Sequence, residues 1–275
     1  EYIYNEERMV LDSRNEVKLT RLNSSQNKAV NQVLEKDNLV TVIHGPPGTG
    51  KTTTIVAAID ELVRQNKKIV ICAPTNAAVD NICQYLVEKE IKVCRIGNPV
   101  KVDSELQKVT LDGQAQNDNS FKLVEQLKKQ SIILRKKAFK YKRNFGKDEF
   151  IERKQLKQDL KSIKKDIKKI QKDIYSSILE KSAVICGTFI GVLNEDLSKI
   201  DFDYIFIDEA GQAIEPAIWS VAGFANNMVL AGDNFQLPPF VQSKGAIKLG
   251  LNQSILASAE LNNFPSFLLD IHLKD

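Results

Sequence analysis

Cysteine and histidine are scarce, with four cysteines (Cys72, Cys83, Cys94, Cys186) and two histidines (His44, His272) in 275 residues. No two cysteines form a C-x-x-C pair, so the spacing argues against a zinc site, and the thiols read as reduced residues of a cytoplasmic protein. No apolar run approaches the ~20 residues of a membrane-crossing helix, and no membrane partner is expected. The opening stretch, Glu1-Tyr2-Ile3-Tyr4-Asn5-Glu6-Glu7-Arg8, is too acidic for a secretory or transit leader. An initiator Met is missing as well, so a fragment or truncated product is expected. Proline is absent between Pro99 and Pro216, which leaves that stretch open to long helices.

What is present is unevenly charged. The net charge of +4 divides sharply: residues 121–181 carry 20 Lys/Arg against 8 Asp/Glu, leaving 19 against 27 elsewhere. The basic character therefore belongs to one segment, and the rest of the chain is acidic.

The chain is organised around Gly45-Pro46-Pro47-Gly48-Thr49-Gly50-Lys51-Thr52. It follows the apolar run Leu39-Val40-Thr41-Val42-Ile43 and precedes Ile55, Ala58, Ile59, Leu62 and Val63 at helical spacing. Strand, glycine-rich loop and helix in that order make a phosphate cradle, the P-loop. Its glycines let backbone N–H groups turn inward, and the helix adds the positive end of its dipole. Lys51 is expected to reach the β- and γ-phosphates, and Thr52 to hold Mg²⁺.

Upstream, Leu22 to Val30 reads as a capped helix start with Ser24 or Ser25 as N-cap; taken alone, Gln26 is a surface glutamine. Downstream, Ile69–Ala73 reads as a strand, Ala77 to Val87 as a helix and Val93–Ile96 as a third strand. Two successive βαβ crossovers predict a parallel sheet with helices on both faces. Leu156, Leu160, Ile163, Ile167, Ile170, Ile174 and Ile178 then form an apolar seam along one long helix. A first helix over about 120–141 is expected to pair with it as an antiparallel hairpin. Its lysines read either as a solvated face or as a contact with a nucleic-acid backbone. Strands return at 183–186, 204–207 and 228–232. The middle one ends in Asp208-Glu209, where Asp208 can hold the Mg²⁺ water shell and Glu209 can orient the attacking water.

These motifs line up with a known group. The chain resembles the first RecA-like lobe of superfamily 1B DNA/RNA helicases, in the branch that includes the immunoglobulin mu-binding protein helicase. The matching stretches are Leu22 to Gln26 (Q motif), Gly45 to Thr52 (motif I), Ala73 to Asn81 (motif Ia), Gly187-Thr188 (motif Ic), Asp208 to Gln212 (motif II) and Gly232 to Pro239 (motif III). The resemblance implies an α/β, RecA-like P-loop NTPase domain with a basic helical insertion. Its segments would be residues 1–20 as a remnant or linker, 21–114 and 182–275 as the lobe, and 115–181 as the insertion. It implies an ATP site of Gln26, which would read adenine, and Gly45, Pro46, Pro47, Gly48, Thr49, Gly50, Lys51, Thr52 and Thr53. Lys51, Asp208, Glu209 and Gln236 would be catalytic, with Glu209 as base and Gln236 as γ-phosphate sensor. Thr52 and Asp208 would bind Mg²⁺. Thr75, Asn76 and Thr188 would touch single-stranded DNA or RNA.

The family continues into a second lobe that supplies arginines to the ATP cleft. Here His272-Leu273-Lys274-Asp275 ends the chain, with Lys274 where the family has an arginine. The expectation is a monomeric lobe that needs its second lobe for full activity and hydrolyses ATP slowly alone. A truncated, non-catalytic nucleotide- or nucleic-acid-binding chain is the alternative. A transporter-type ATPase is disfavoured because no Leu-Ser-Gly-Gly segment precedes Asp208-Glu209.

Overall fold

The computed structural model describes residues 17–35, 38–139, 146–261 and 266–269. Most of the N-terminal remnant, the hairpin turn at Asn144-Phe145 and the tail bearing His272 and Lys274 lie outside the described residues.

Among the described residues, seven strands form one sheet in which every neighbouring pair is parallel: β1 (Val40–His44), β2 (Ile69–Ala73), β3 (Val93–Arg95), β4 (Val184–Thr188), β5 (Phe202–Ile207), β6 (Ala225–Gly232) and β7 (Ser266–Leu268). Their spatial order is β3-β4-β2-β5-β6-β1-β7. β1 and β2 are buried along their whole length. That is why they read as continuous apolar runs rather than as alternation, the signature of strands covered on both faces.

The covering helices include α1 (Ser24–Leu34), α2 (Lys51–Arg64) and α3 (Asn76–Glu88). Their apolar stripes supply Ala29, Val33, Ile55, Ile59, Leu62, Ile82 and Leu86 to a core shared with Ile43, Ile71 and Phe206. Truncating one of these leucines or isoleucines to Ala costs about 2–5 kcal/mol. α1 starts differently from expectation. Its N-cap is Asn23, not Ser24 or Ser25: the Asn23 side chain accepts from the Gln26 N–H at 2.9 Å, and Gln26 Oε1 accepts from the Asn23 N–H at 3.0 Å, closing a capping box.

The chain forms two compact units, one of the described residues up to Thr110 and from Ser182 onward, the other of Leu111–Lys181. The second contains α4 (Leu111–Gln116), α5 (Phe121–Ala138) and the 35-residue α6 (Lys147–Lys181). Five of the seven predicted seam positions, Ile163, Ile167, Ile170, Ile174 and Ile178, pack in one cluster with Phe121, Val124 and Leu127. Lys157 Nζ lies 5.7 Å from the ring of Phe139, beyond the other end of α5, so the two helices run antiparallel. Tyr175 donates its hydroxyl to Asp112, tying α6 to α4. Among the described residues no helix is long and apolar enough to cross a membrane.

The first unit also carries α7 (Phe189–Asn194), α8 (Glu215–Ala222), α9 (Lys244–Lys248) and α10 (Ile255–Leu261).

Candidate functional site

The loop between β1 and α2 closes on itself. Gly48 and Gly50 sit at φ of 79° and 80°, the left-handed region that glycine enters without strain. Lys51, nearly buried, turns back and donates from Nζ to the Gly45 carbonyl at 2.7 Å. Thr49 donates its hydroxyl to the Pro46 carbonyl at 2.8 Å, which fixes the loop's crown. A Cβ on Gly45 would come within 2.6 Å of Thr49 Oγ1 and 2.9 Å of Lys51 Cγ, so the cradle has no room for a side chain there. Thr52 is half-buried on the first turn of α2, whereas Thr53 is exposed on the same turn and joins none of these contacts.

Gln26 is not on the surface. It is 1% exposed, and beyond the capping box its Nε2 donates to the Thr49 carbonyl at 3.1 Å. The start of α1 thus braces the P-loop from outside.

Asp208 and Glu209 follow β5, two strands from β1. The Asp208 N–H donates to the Cys72 carbonyl at 2.9 Å, continuing the β2–β5 ladder by one residue. The Asp208 carboxyl is 4% exposed, and burial, reinforced by the neighbouring charge of Glu209, pushes its pKa up from 3.8 to about 6. The Glu209 N–H and the charge of Lys51 act in the opposite direction. Lys51 thus lies close enough to bear on Asp208, although the two come from separate parts of the chain. Glu209 itself sits at φ 53°, a left-handed conformation rare outside glycine, asparagine and aspartate. Such strain, worth about 1–3 kcal/mol, concentrates at functional sites. Its side chain accepts from Gln212 Nε2 at 3.0 Å.

Asp233, just after β6, completes the cluster. Its carboxylate accepts from the Phe235 N–H at 2.9 Å and from Gln236 Nε2 at 3.0 Å, and His44 Nε2 lies 3.4 Å away. Burial alone would raise its pKa, but these donors, His44 and Lys51 outweigh it and hold it below 3.8. The turn after β5 and the end of β6 are locked together. A Cβ on Gly211 would meet the Asp233 carbonyl at 2.7 Å.

Thr75, Asn76 and Thr188 lie on the other half of the sheet's C-terminal edge. In register, Ala73 of β2 stands opposite Thr188 of β4. Thr75 caps α3 by accepting from the Ala78 N–H, and Thr188 caps α7 by accepting from the Gly191 N–H, each at 3.2 Å. A hydroxyl oxygen occupied in this way keeps its O–H to donate.

The family model described as an AAA domain (AAA_11) matches residues 21–244. The chain belongs to this family. The DNA polymerase alpha-associated DNA helicase A of Schizosaccharomyces pombe is 35% identical over 223 residues, covering 81% of this chain and 33% of that protein. DNA-binding protein SMUBP-2 of Mesocricetus auratus is 33% identical over 86% of this chain and 24% of its own length. A regulator of nonsense transcripts 1 homolog of Neurospora crassa is 33% identical over 86% of this chain and 20% of its own. The chain spans a third or less of the length of these relatives. The motif-based resemblance to superfamily 1 helicases therefore holds.

For this helicase-family chain, sequence reasoning missed two groups at the site. In sequence His44 stands out only as a possible metal ligand, and Asp233 only as part of motif III. The spacing Asp233-x-Phe235-Gln236 carried the signal, since an Asp accepting from the backbone two residues on is a common turn device.

Proposed function

We propose that this chain is the first motor lobe of an ATP-dependent DNA/RNA helicase, binding and hydrolysing ATP while tracking single-stranded nucleic acid. One observation carries the reading: Asp208 and Asp233 follow β5 and β6, the two strands next in order to β1, whose P-loop has no space for a side chain at Gly45.

The donor set suits a magnesium nucleotide. Asp208 is a buried carboxylate whose charge is only partly offset, which is the deficit that a divalent cation would fill, with Thr52 as its second protein ligand. Mg²⁺ bound there would neutralise charge between the β- and γ-phosphates. Lys51 would exchange its bond with the Gly45 carbonyl for phosphate oxygens, and loop N–H groups would hold the rest. Glu209, held by Gln212, would orient the attacking water and take its proton. Gln236, held by Asp233, would meet the γ-phosphate. Gln26 and Thr53 would complete the ATP site, Gln26 on the adenine side.

On the β2–β4 half of the edge, the hydroxyls of Thr75 and Thr188 and the amide of Asn76 would donate to phosphate oxygens, contacts that position a strand without reading its sequence. Strand separation takes two lobes that open and close, and is proposed for a longer protein containing a lobe like this one.

The test is ATP turnover by the purified chain with and without single-stranded DNA or RNA, beside Lys51→Ala. Nucleotide binding with slow turnover, both lost in Lys51→Ala, is the expected outcome; strong stimulation by either polymer would show that the chain needs no second lobe for the coupled reaction. Failure of the wild-type chain to bind nucleotide at all would remove the proposal.

A further inference from the structure

Arg95 ends β3 with a side chain that is 0% exposed, and a charge so placed needs partners. Its Nε donates to Asp80 Oδ1 at 2.7 Å, its Nη2 to Asn76 Oδ1 at 3.0 Å, and its Nη1 to the Ile96 carbonyl. Asp80 is held from its other oxygen by the Asp103 N–H at 3.1 Å. Asn76 and Asp80 are one turn apart on α3, so a single guanidinium grips one face of that helix's first turns. Asp80 supplies the countercharge. The bond to Asn76 adds no charge balance, yet it has a consequence for direction.

A guanidinium has donors and no acceptor. Asn76 must therefore turn Oδ1 toward Arg95, and both N–H bonds of Nδ2 then point away from the buried charge. Asn76 is half-buried and Thr75 exposed, and the Thr75 oxygen is already occupied by the Ala78 N–H. The start of α3 thus offers donors side by side, the polarity that a phosphate backbone requires and a cation would not meet.

We infer that Arg95 is a positioning residue for nucleic-acid binding, fixing Asn76 with its amide donors toward the strand. The inference rests on the proposed role of Asn76. A lysine at 95 can keep the ion pair with Asp80 but lacks the planar fork that spans both partners. An aspartate at 76 can still accept from Arg95 but has nothing to donate.

The experiment measures the affinity of the 275-residue chain for a labelled single-stranded oligonucleotide, together with nucleotide affinity and melting temperature. One lost hydrogen bond to a charged group corresponds to about tenfold. Asn76→Ala is expected to weaken oligonucleotide binding about tenfold, and Arg95→Lys by a similar factor with nucleotide affinity unchanged. The double variant is expected to bind no worse than Asn76→Ala alone. Asn76→Asp is expected to melt no lower than wild type while losing at least as much oligonucleotide affinity.

Losses that add in the double variant, or an Arg95→Lys chain binding like wild type while Asn76→Ala is weakened, would overturn the inference and leave the nucleic-acid reading standing. Wild-type binding by Asn76→Ala, Thr75→Ala and Thr188→Ala alike would overturn that reading, and the inference with it. If Arg95→Lys does not fold, Asn76→Asp decides: retained affinity refutes the inference, and lost affinity at an undiminished melting temperature upholds it.

Discussion

Asp208→Asn is expected to make the protein more stable. Because burial raises the Asp208 pKa from 3.8 to about 6, the folded chain holds that proton more tightly than the unfolded chain does. The group's contribution is therefore most favourable below pH 4, falls as the pH rises from about 4 through about 6, and is flat above. The interval corresponds to roughly 3 kcal/mol lost by pH 7. Asparagine has the shape of the protonated acid and can still accept the Glu209 N–H, so the variant escapes the penalty. In EDTA at pH 7 its unfolding midpoint is expected to rise by roughly 6–12 °C, and at pH 4 the gap is expected to shrink to less than about 1 kcal/mol. Titrations that affect both proteins equally cancel in the difference. Mg²⁺ with a non-hydrolysable nucleotide is expected to reverse the order, stabilising wild type and not the variant. A gap constant from pH 4 to pH 7, or a variant less stable at pH 7, would refute the reasoning.

Lys51→Ala is expected to lower ATP turnover by at least about a hundredfold, as loss of one charged donor at a phosphoryl site does, read in a steady-state phosphate-release assay. Gly211→Ala drives a Cβ to 2.7 Å from the Asp233 carbonyl; overpacking against rigid backbone costs about 1–3 kcal/mol, so denaturant melts are expected to show that loss together with reduced turnover. Replacing the exposed Lys164, Lys165, Lys168 and Lys169 of α6 with Glu is expected to weaken oligonucleotide binding and flatten its salt dependence. Unchanged affinity and slope would assign that lysine face to solvent alone.

The parts of the site legible in the sequence are those whose signal is local. β1, the P-loop and α2 are contiguous, and a run of buried residues ending in Gly45 to Lys51 has few other uses. β5 with Asp208-Glu209 is similar. Strand order was not legible, because β1 lies between β6 and β7 while its neighbour in sequence, β2, pairs with β4 and β5. β7 itself is three residues long with a partly exposed pattern, too short for a periodicity to register. The burial of Gln26 follows from the Thr49 carbonyl, 23 residues away, and from an N-cap at Asn23 rather than at the serines after it. Arg95 falls inside the third predicted strand, Val93–Ile96, with nothing nearby in sequence to mark its role. Its partners become visible only once β3 is set against α3.

The strand order also divides the candidate chemistry in space. The C-terminal ends of β5, β6 and β1 carry Asp208, Asp233 and the P-loop, while those of β3, β4 and β2 carry Arg95, Thr188 and the approach to Thr75 and Asn76. The two halves meet where β2 pairs with β5, and there Asp208 donates its N–H to the Cys72 carbonyl. Asp208 and Thr75 are thus separated by one ladder bond and three residues of chain. The loops leaving the strands carry Glu209 in its strained turn, Gln236 on Asp233, and the Thr75 cap of α3. On this geometry, coupling between nucleotide and nucleic acid would depend on how firmly each loop is held, by Gly211 against Asp233 on one side and by Arg95 against Asn76 on the other.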